Sequence, residues 1–357
     1  MKIAVLTSGG VDSSFALRLL RDQGHELTAF YLKIWLEDEF KDLSQCPWEE
    51  DLKYVESLCD KLQISLEVVP MQQKYWELVI EYVVRESRAG RTPNPDIFCN
   101  HFIKFGAFLD TIDPSYEKVA TGHYARVIEK EGVFHLLTSP DLVKDQTYFL
   151  SHLTQEQLSK ALFPIGHLSK SEVRRLSEQY QIPSAHRKDS QGICFLGKVP
   201  YREFLRRHLG DKKGDFVELS SGRILGQHEG FWFYTIGQRS GLGLSGGPWF
   251  VVQKDVEKNI IYLANGYQPE DVLSDEFQIT GLHSFANDLR FKVNDLDLYV
   301  KIRHGAAMHP CTLEIHDDRG IVHLSEKAHG IAPGQFAVFY SAVESGGFEC
   351  LGCGMIS

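Results

Sequence analysis

The sequence predicts an α/β protein: a doubly wound parallel sheet, followed by β-rich central and C-terminal segments of which the last is a small barrel. Three observations carry this. The apolar run Ile3-Ala4-Val5-Leu6 feeds Thr7-Ser8-Gly9-Gly10 and then Val11 to Leu20, which reads as buried strand, glycine turn and helix. Apolar strand runs and helical stripes then alternate, as β-α-β units require. From Gly214 the texture changes to short β-rich runs punctuated by Gly, Asn and Asp.

Each element has its own justification. Glu26 to Tyr31 reads as a second strand, and Leu52, Val55, Leu58 and Leu62 give helical spacing between Trp48 and Leu62. Ile64 to Val69 is a third strand, and Tyr75, Leu78, Val79, Tyr82 and Val83 form a core-facing helical stripe. In Arg91-Thr92-Pro93-Asn94-Pro95-Asp96-Ile97-Phe98-Cys99-Asn100, two prolines stiffen the backbone before an apolar helix through Phe105 and Leu109, so a rigid loop presents Asp96 and Cys99. Val119 to Tyr124 is a strand end with Gly122 on the ligand face, and Lys144 to Tyr148 is an exposed polar loop after a hairpin. Ser169 with Glu172 forms a capping box for a helix to about Tyr180. Lys188 to Phe195 is a polar loop, and Tyr201 to Leu209 a short basic helix. Trp232 to Ile236, Phe250 to Val252 and Ile260 to Leu263 read as strands, and Leu298 to Arg303 and Gln335 to Tyr340 suit the barrel. The expected division is 1–210, 211–273 and 274–357.

Composition narrows the class. At 357 residues the chain exceeds a usual single domain, its 43% hydrophobic content is that of a soluble globular protein, and no apolar run approaches the ~20 residues of a membrane span. Met1-Lys2-Ile3 lacks a signal-peptide pattern, so the expected location is the cytoplasm. Seven cysteines, an odd number, argue against a disulfide framework. A net charge of −10 excludes a uniformly basic nucleic-acid surface but not a local patch.

The glycine turn carries the first chemistry. Free amides at the positive end of a helix dipole bind anions, and Ser8, Ser13 and Ser14 add hydroxyl donors, with Asp12 or Ser13 expected to cap the helix. No Gly-Lys-Ser/Thr follows at the spacing of a Walker A loop. The string S-G-G-V-D-S instead resembles the PP-loop of ATP pyrophosphatases, Rossmann-like enzymes that adenylate an oxygen and release pyrophosphate. That resemblance implies ATP with Mg2+, held by Thr7, Ser8, Gly9, Gly10, Val11, Asp12, Ser13 and Ser14. Cys99 and Cys194 form a second group of candidates, each read as lying in a polar loop beside charge, where a positive field lowers a thiol's pKa. Cys59 in a helix stripe and Cys311 in a strand read as packing, and Cys350 and Cys353 lack the further ligands zinc requires. No resident metal site is expected.

Five ordered motifs then make the resemblance close: S-G-G-V-D-S, N-P-D-I-F-C-N at 94–100, T-G-H-Y-A at 121–125, K-D-Q-T-Y at 144–148 and D-S-Q-G-I-C-F at 189–195. Across essentially its whole length the chain resembles the bacterial tRNA-specific 2-thiouridylases. The resemblance implies ATP-dependent 2-thiolation of the wobble uridine of tRNA, with Cys194 carrying persulfide sulfur, Cys99 attacking it to leave a Cys99–Cys194 disulfide, and Asp96 handling protons. It implies further that Leu32 and Gly122 meet the nucleotide and that Asn94, Pro95 and Asp96 meet the target base. His123, Lys144, Asp145, Gln146, Arg303, His304 and Gln335 take the remaining tRNA contacts. Leu32 stands where the family usually has Met, which keeps an apolar adenine contact, and His304 stands at a variable position. Arg202, Arg206, Arg207, Lys212 and Lys213 add a basic stripe. The partners implied are tRNA, through its anticodon loop, and a sulfur donor protein, either a cysteine desulfurase or a sulfur-relay carrier; no membrane is involved. The alternatives are another PP-loop adenylating enzyme or a non-catalytic tRNA-binding protein.

Overall fold

A computed structural model describes residues 1–35, 47–188, 199–266, 273–285, 297–344 and 346–357. Its first part contains β1 (Lys2–Leu6), β2 (Glu26–Lys33), β3 (Ser65–Pro70), β4 (Lys118–Ala120), a hairpin of β5 (Ala125–Lys130) and β6 (Val133–Thr138), and β7 (Ala161–Leu162). The hairpin apart, these strands form a parallel sheet in the order β3-β2-β1-β4-β7. β1 lies at its centre because both of its faces are apolar. Ile3 and Val5 pack with Leu17, Leu20, Val55 and Leu58 on one side, and Ala4 and Leu6 with Tyr75, Val79, Ile103 and Phe108 on the other. Period-two alternation with both sets buried is the signature of a sheet covered by helices on two faces. The covering helices include α1 (Val11–Asp22) and Pro47–Leu62 on the first side.

The segment from Pro95 is less regular than the expected helix. An α-turn at Pro95–Phe98 opens into a π-helical stretch, Cys99–Ala107, which closes in another α-turn at Phe108–Thr111. Such widened turns are rare and concentrate at functional sites.

Beyond the helix Tyr201–Leu209, β8 (Gly214–Glu218), β9 (Ile224–His228), β10 (Trp249–Asp255) and β11 (Ile260–Asn265) form a separate sheet in the order β10-β11-β8-β9 around Phe216, Trp249, Val251, Ile261 and Leu263. The strand expected at Trp232 to Ile236 is not formed. Phe231–Phe233 instead makes one 3-10 turn, which presents aromatic rings to two clusters at once, Trp232 and Phe233 packing against both.

The last part contains β12 (Leu273–Ser284), β13 (Leu298–Lys301), β14 (His309–His316), β15 (Arg319–His329), β16 (Phe336–Ala342) and β17 (Phe348–Ile356). Antiparallel pairing runs β12-β15-β14-β13-β16-β17, and β17 pairs back to β12, so six strands close a barrel without edges. β17 serves a third partner as well, because Glu349 and Cys350 pair with Leu137 and Leu136 of β6. The hairpin of the first part thus joins the barrel sheet through β6.

Candidate active site

At the C-terminal end of β1, Thr7 is tied to β2 by its amide and hydroxyl, which donate to the Phe30 carbonyl at 2.9 and 3.2 Å. Gly9 adopts φ +73, and a Cβ there would stand 2.6 Å from the Asp51 carbonyl oxygen, so only glycine fits. Gly10 needs no such freedom; it is the N-cap of α1, with φ −79. Neither Asp12 nor Ser13 caps the helix as expected. The Ser13 hydroxyl accepts from the Ser8 amide and donates to the Gly10 carbonyl, both at 3.2 Å, and lies 3.3 Å from the Ser8 hydroxyl. It folds the turn back on itself and leaves the first helical amides, which have no intrahelical acceptor, at the end of the dipole. Ser14 is buried and accepts from the Ser184 hydroxyl at 3.1 Å. Gly122, after β4, lies directly on this turn: a Cβ would come within 2.6 Å of the Ser13 nitrogen. Val11 is buried beneath the turn, and Leu32 is half-buried near the end of β2. Glycine backbone thus lies on two sides of the α1 N-terminus, where helix amides favour an anion.

The Asp12 carboxylate is held by two partners from elsewhere. The Tyr124 hydroxyl donates to it at 2.7 Å, and the Lys170 ammonium reaches both oxygens, at 2.7 and 2.8 Å. Arg187 donates to the Gly9 carbonyl at 3.1 Å and pairs with Asp51.

The thiol side is built differently. Asn94 caps its short helix, its side-chain oxygen accepting from the Ile97 amide at 3.4 Å, with Pro95 at the first helical position. Cys99 is 1% exposed and begins the π-helical stretch, so it occupies a helix in the core and not the polar loop expected. Burial, reinforced by the Asp96 charge and opposed by Lys104, pushes its thiol up to about 11. Cys194 lies outside the described residues.

Barrel residues frame this segment. Gln335 donates to the carbonyls of Thr92 and Pro93 at 3.0 and 3.2 Å, and the Thr92 amide donates to the Pro333 carbonyl at 2.7 Å. Residues 144–148 are not the exposed loop expected: Asp145, Thr147 and Tyr148 are buried, and Thr147 begins a short helix to Leu150. Asp145 is buried in an ion pair with Lys301, 3.1 Å long and 0% exposed on both sides, and its carboxylate also accepts from the Thr147 hydroxyl and the Ser139 amide. Its backbone carbonyl lies 3.2 Å from Nε2 of His304, whose ring stacks on Phe149 at 4.5 Å. Lys144 and Gln146 on either side are half-buried, and Arg303 is exposed. His123 is buried, with Nδ1 2.6 Å from the Thr121 hydroxyl; burial, then Lys104, holds its pKa far below the ordinary value, so the ring is neutral near pH 7. Within the basic stripe, Arg206 pairs with Glu203, Asp211 and Glu229, and Arg202 with Glu229, so these two charges are offset.

Three family models tile the chain: "tRNA methyl transferase HUP domain" over residues 1–198, "tRNA methyl transferase PRC-barrel domain" over 202–265 and "Aminomethyltransferase beta-barrel domain" over 274–356. The chain is 45% identical over 357 residues to the tRNA-specific 2-thiouridylase MnmA of Parabacteroides distasonis, covering 100% of this chain and 99% of that protein. It is 46% identical to MnmA 1 of Bacteroides thetaiotaomicron, covering 100% of both. The chain belongs to the MnmA family. Among solved structures, the U34-tRNA thiolase NcsA of Methanococcus maripaludis aligns at 18% identity and a TM-score of 0.35, covering 59% of this chain and 68% of that one.

Within this MnmA-family chain, sequence reasoning passed over Tyr124, Lys170 and Arg187, the three side chains that hold the glycine turn from outside. The signals existed: Tyr124 lies inside T-G-H-Y-A, and Lys170 is the first residue after the capping serine. Among the described residues, no group of three or more His, Cys, Asp or Glu is arranged to hold a metal ion, and no helix is long and apolar enough to cross a membrane.

Proposed function

We propose that this chain is a tRNA uridine 2-sulfurtransferase that converts the wobble uridine of tRNA to 2-thiouridine with ATP and persulfide sulfur. The observation that carries the reading is full-length likeness, at 42–46% identity, to proteins named for this activity, in a chain whose β1–α1 turn has the form of a phosphate cradle.

The residues fit MgATP. Thr7 to Ser14 and Gly122 hold the phosphate chain, Leu32 offers an apolar contact to adenine, and Mg2+ needs no protein cage because it is commonly held by phosphate oxygens with one or two carboxylates. ATP, when bound, supplies the adenylyl group that turns the C2 oxygen of uridine into a departing AMP. The protein's tasks are to hold the base, exclude water and deliver sulfur. Asn94, Pro95 and Asp96 hold the splayed base, and Asp96 takes up protons beside it. His123, Lys144, Asp145, Gln146, Arg303, His304 and Gln335 belong to the tRNA side; Asp145 and Gln335 act there by fixing their neighbours, as their bonds to Lys301 and to the Thr92 and Pro93 carbonyls support.

In the sulfur step the terminal sulfur of a Cys194 persulfide bonds to C2 as the C2–O bond breaks. The Cys99 thiolate then attacks Sγ of Cys194, breaking its bond to the transferred sulfur and leaving 2-thiouridine and a Cys99–Cys194 disulfide. The two cysteines are oxidised, the sulfane sulfur is reduced, and an external thiol resets the pair. A sulfur donor protein, a cysteine desulfurase or a sulfur-relay carrier, loads Cys194 in the cytoplasm. Adenylation belongs to residues 1–210, and RNA contacts extend through 211–273 and 274–357. The test combines purified protein, ATP, Mg2+, unmodified tRNA and a persulfide donor, followed by nucleoside mass analysis and pyrophosphate release. Wobble 2-thiouridine formed in step with pyrophosphate is expected; pyrophosphate release indifferent to tRNA, with no thionucleoside, would overturn the reading.

A further inference from the structure

We infer that Tyr124 and Lys170 are positioning residues that couple nucleotide binding to tRNA binding, because each joins the Asp12 carboxylate of the glycine turn to the segment 141–146. The inference rests on the functional reading above, which puts phosphates at the turn and tRNA at Lys144 and Gln146.

Two bridges run from one carboxylate. In the first, the Tyr124 hydroxyl donates to Asp12 at 2.7 Å, while the Tyr124 backbone grips Gln146 twice: its amide donates to the Gln146 side-chain oxygen at 3.0 Å, and its carbonyl accepts from the Gln146 amide at 2.9 Å. In the second, the Lys170 ammonium holds both Asp12 oxygens, while the Lys170 amide donates to the Asp141 carboxylate at 3.1 Å. That carboxylate accepts in turn from the Lys144 amide at 3.2 Å. Tyr124 is 2% exposed and Lys170 8%, so each bridge turns on a buried residue, where hydrogen bonds to charge are strong, while the Asp12 and Asp141 carboxylates they join are partly exposed. Asp12 lies in the first turn of α1, beside the amides that would take the phosphates, so a polyanion there acts on the same carboxylate and ammonium. A ligand that fixes Asp12 fixes Tyr124 and Lys170, and with them the backbone of Lys144 and Gln146. The second ligand then meets a segment already ordered and binds more tightly.

The measurement is the dissociation constant of unmodified tRNA with and without α,β-methylene-ATP and Mg2+, and of the analogue with and without tRNA. For the wild type, each ligand tightens the other by the same factor, about tenfold, within the usual range for coupled sites. In Tyr124→Phe, which keeps the ring, and in Lys170→Met, which keeps the stem, each ligand alone still binds, but the factor falls to about twofold or less. Asp141→Asn, made on a more exposed residue, lowers the factor through the second bridge only and serves if Lys170→Met melts much earlier than the wild type. A wild-type factor of one, or variants that keep the full factor, would overturn the coupling. A wild type that binds neither the analogue nor tRNA would instead remove the functional reading on which the coupling stands.

Discussion

At the end of β1 the chain spends glycine and serine to leave backbone amides open: Gly9 in the left-handed region, Ser13 folded onto Ser8 and Gly10, and Gly122 lying bare against the Ser13 amide. At Cys99 it does the reverse, sinking a thiol among Tyr75, Ile103 and Phe105 and raising its pKa to about 11. The first region has its backbone arranged without a ligand. The second holds the thiol proposed as nucleophile in its neutral form, and the thiolate is the attacking species. On the proposed roles, the difference teaches that the nucleotide meets a turn already formed, whereas sulfur transfer through Cys99 requires its helix to expose the sulfur or to receive a base.

The largest expected effect breaks the comparison at its chemical end. Cys99→Ser and Cys194→Ser each lower single-turnover thiolation by at least about 10³-fold, as loss of an essential nucleophile does, while tRNA-dependent pyrophosphate release continues. Thionucleoside at wild-type yield from both variants would show that sulfur takes another route. Next, Gly122→Val pushes backbone off the Ser13 amide and lowers pyrophosphate release by at least about 100-fold, the usual result of misplacing reacting groups by ~1 Å. Persulfide loading of Cys194 is unaffected, so the two regions fail separately.

A third measurement reads the buried thiol directly. A pKa raised from 9.0 to about 11 lowers the thiolate fraction at pH 8 by about 100-fold, and the sign is fixed: the neutral form persists until the pH approaches 11. Iodoacetamide labelling of Cys99, followed by peptide mass analysis, is expected to be at least that much slower than for an unhindered thiol, and to accelerate when ATP and tRNA are added together. Rapid labelling at pH 7 without ligands would break the comparison.

The sequence made the first region legible and hid the second. S-G-G-V-D-S declares itself because its glycines and hydroxyls act through the local backbone, within a few residues of one another. Cys99 looked like a loop thiol because N-P-D-I-F-C-N is polar on either side, and nothing local announces a π-helical stretch whose register turns the sulfur into the core. Asp145 misled for a related reason. Its burial depends on Lys301, 156 positions away on β13, and a pair formed by barrel closure has no signature in either neighbourhood. The same holds for Tyr124 and Lys170, whose common partner Asp12 lies 112 and 158 positions distant. Period and motif show what a segment forms with itself, and these contacts are formed between segments.

Asp145→Ala tests that lesson through stability. Removing one member of a fully buried pair strands the other charge, so a loss of about 3–5 kcal/mol is expected, read from the denaturant midpoint, with the barrel and the 144–148 segment loosening together. Asp145→Ala with Lys301→Met should recover much of it, since an apolar replacement of both partners leaves no buried charge. If the single variant were as stable as the wild type, Asp145 would be a surface residue, as the sequence alone suggested.

The smallest expected effect concerns the support of the prebuilt region. Ser169 caps the helix Lys170–Gln179, its hydroxyl accepting from the Glu172 amide at 3.3 Å, and Lys170 is the first residue past that cap. Ser169→Ala is expected to cost about 1 kcal/mol of stability, the ordinary value of such a cap. The frayed turn would release the Lys170 backbone from Asp141 before it released the ammonium from Asp12, because the side chain keeps two contacts to the carboxylate and the amide keeps one to its partner. Affinity for an ATP analogue should therefore change by less than about twofold, a small fraction of the 1.4 kcal/mol that separates tenfold steps, while Cys99 labelling stays as slow as before. A variant that lost nucleotide affinity tenfold, or that labelled Cys99 quickly, would show that the glycine turn and the thiol helix share one framework after all, and the separation drawn between them would have to be given up.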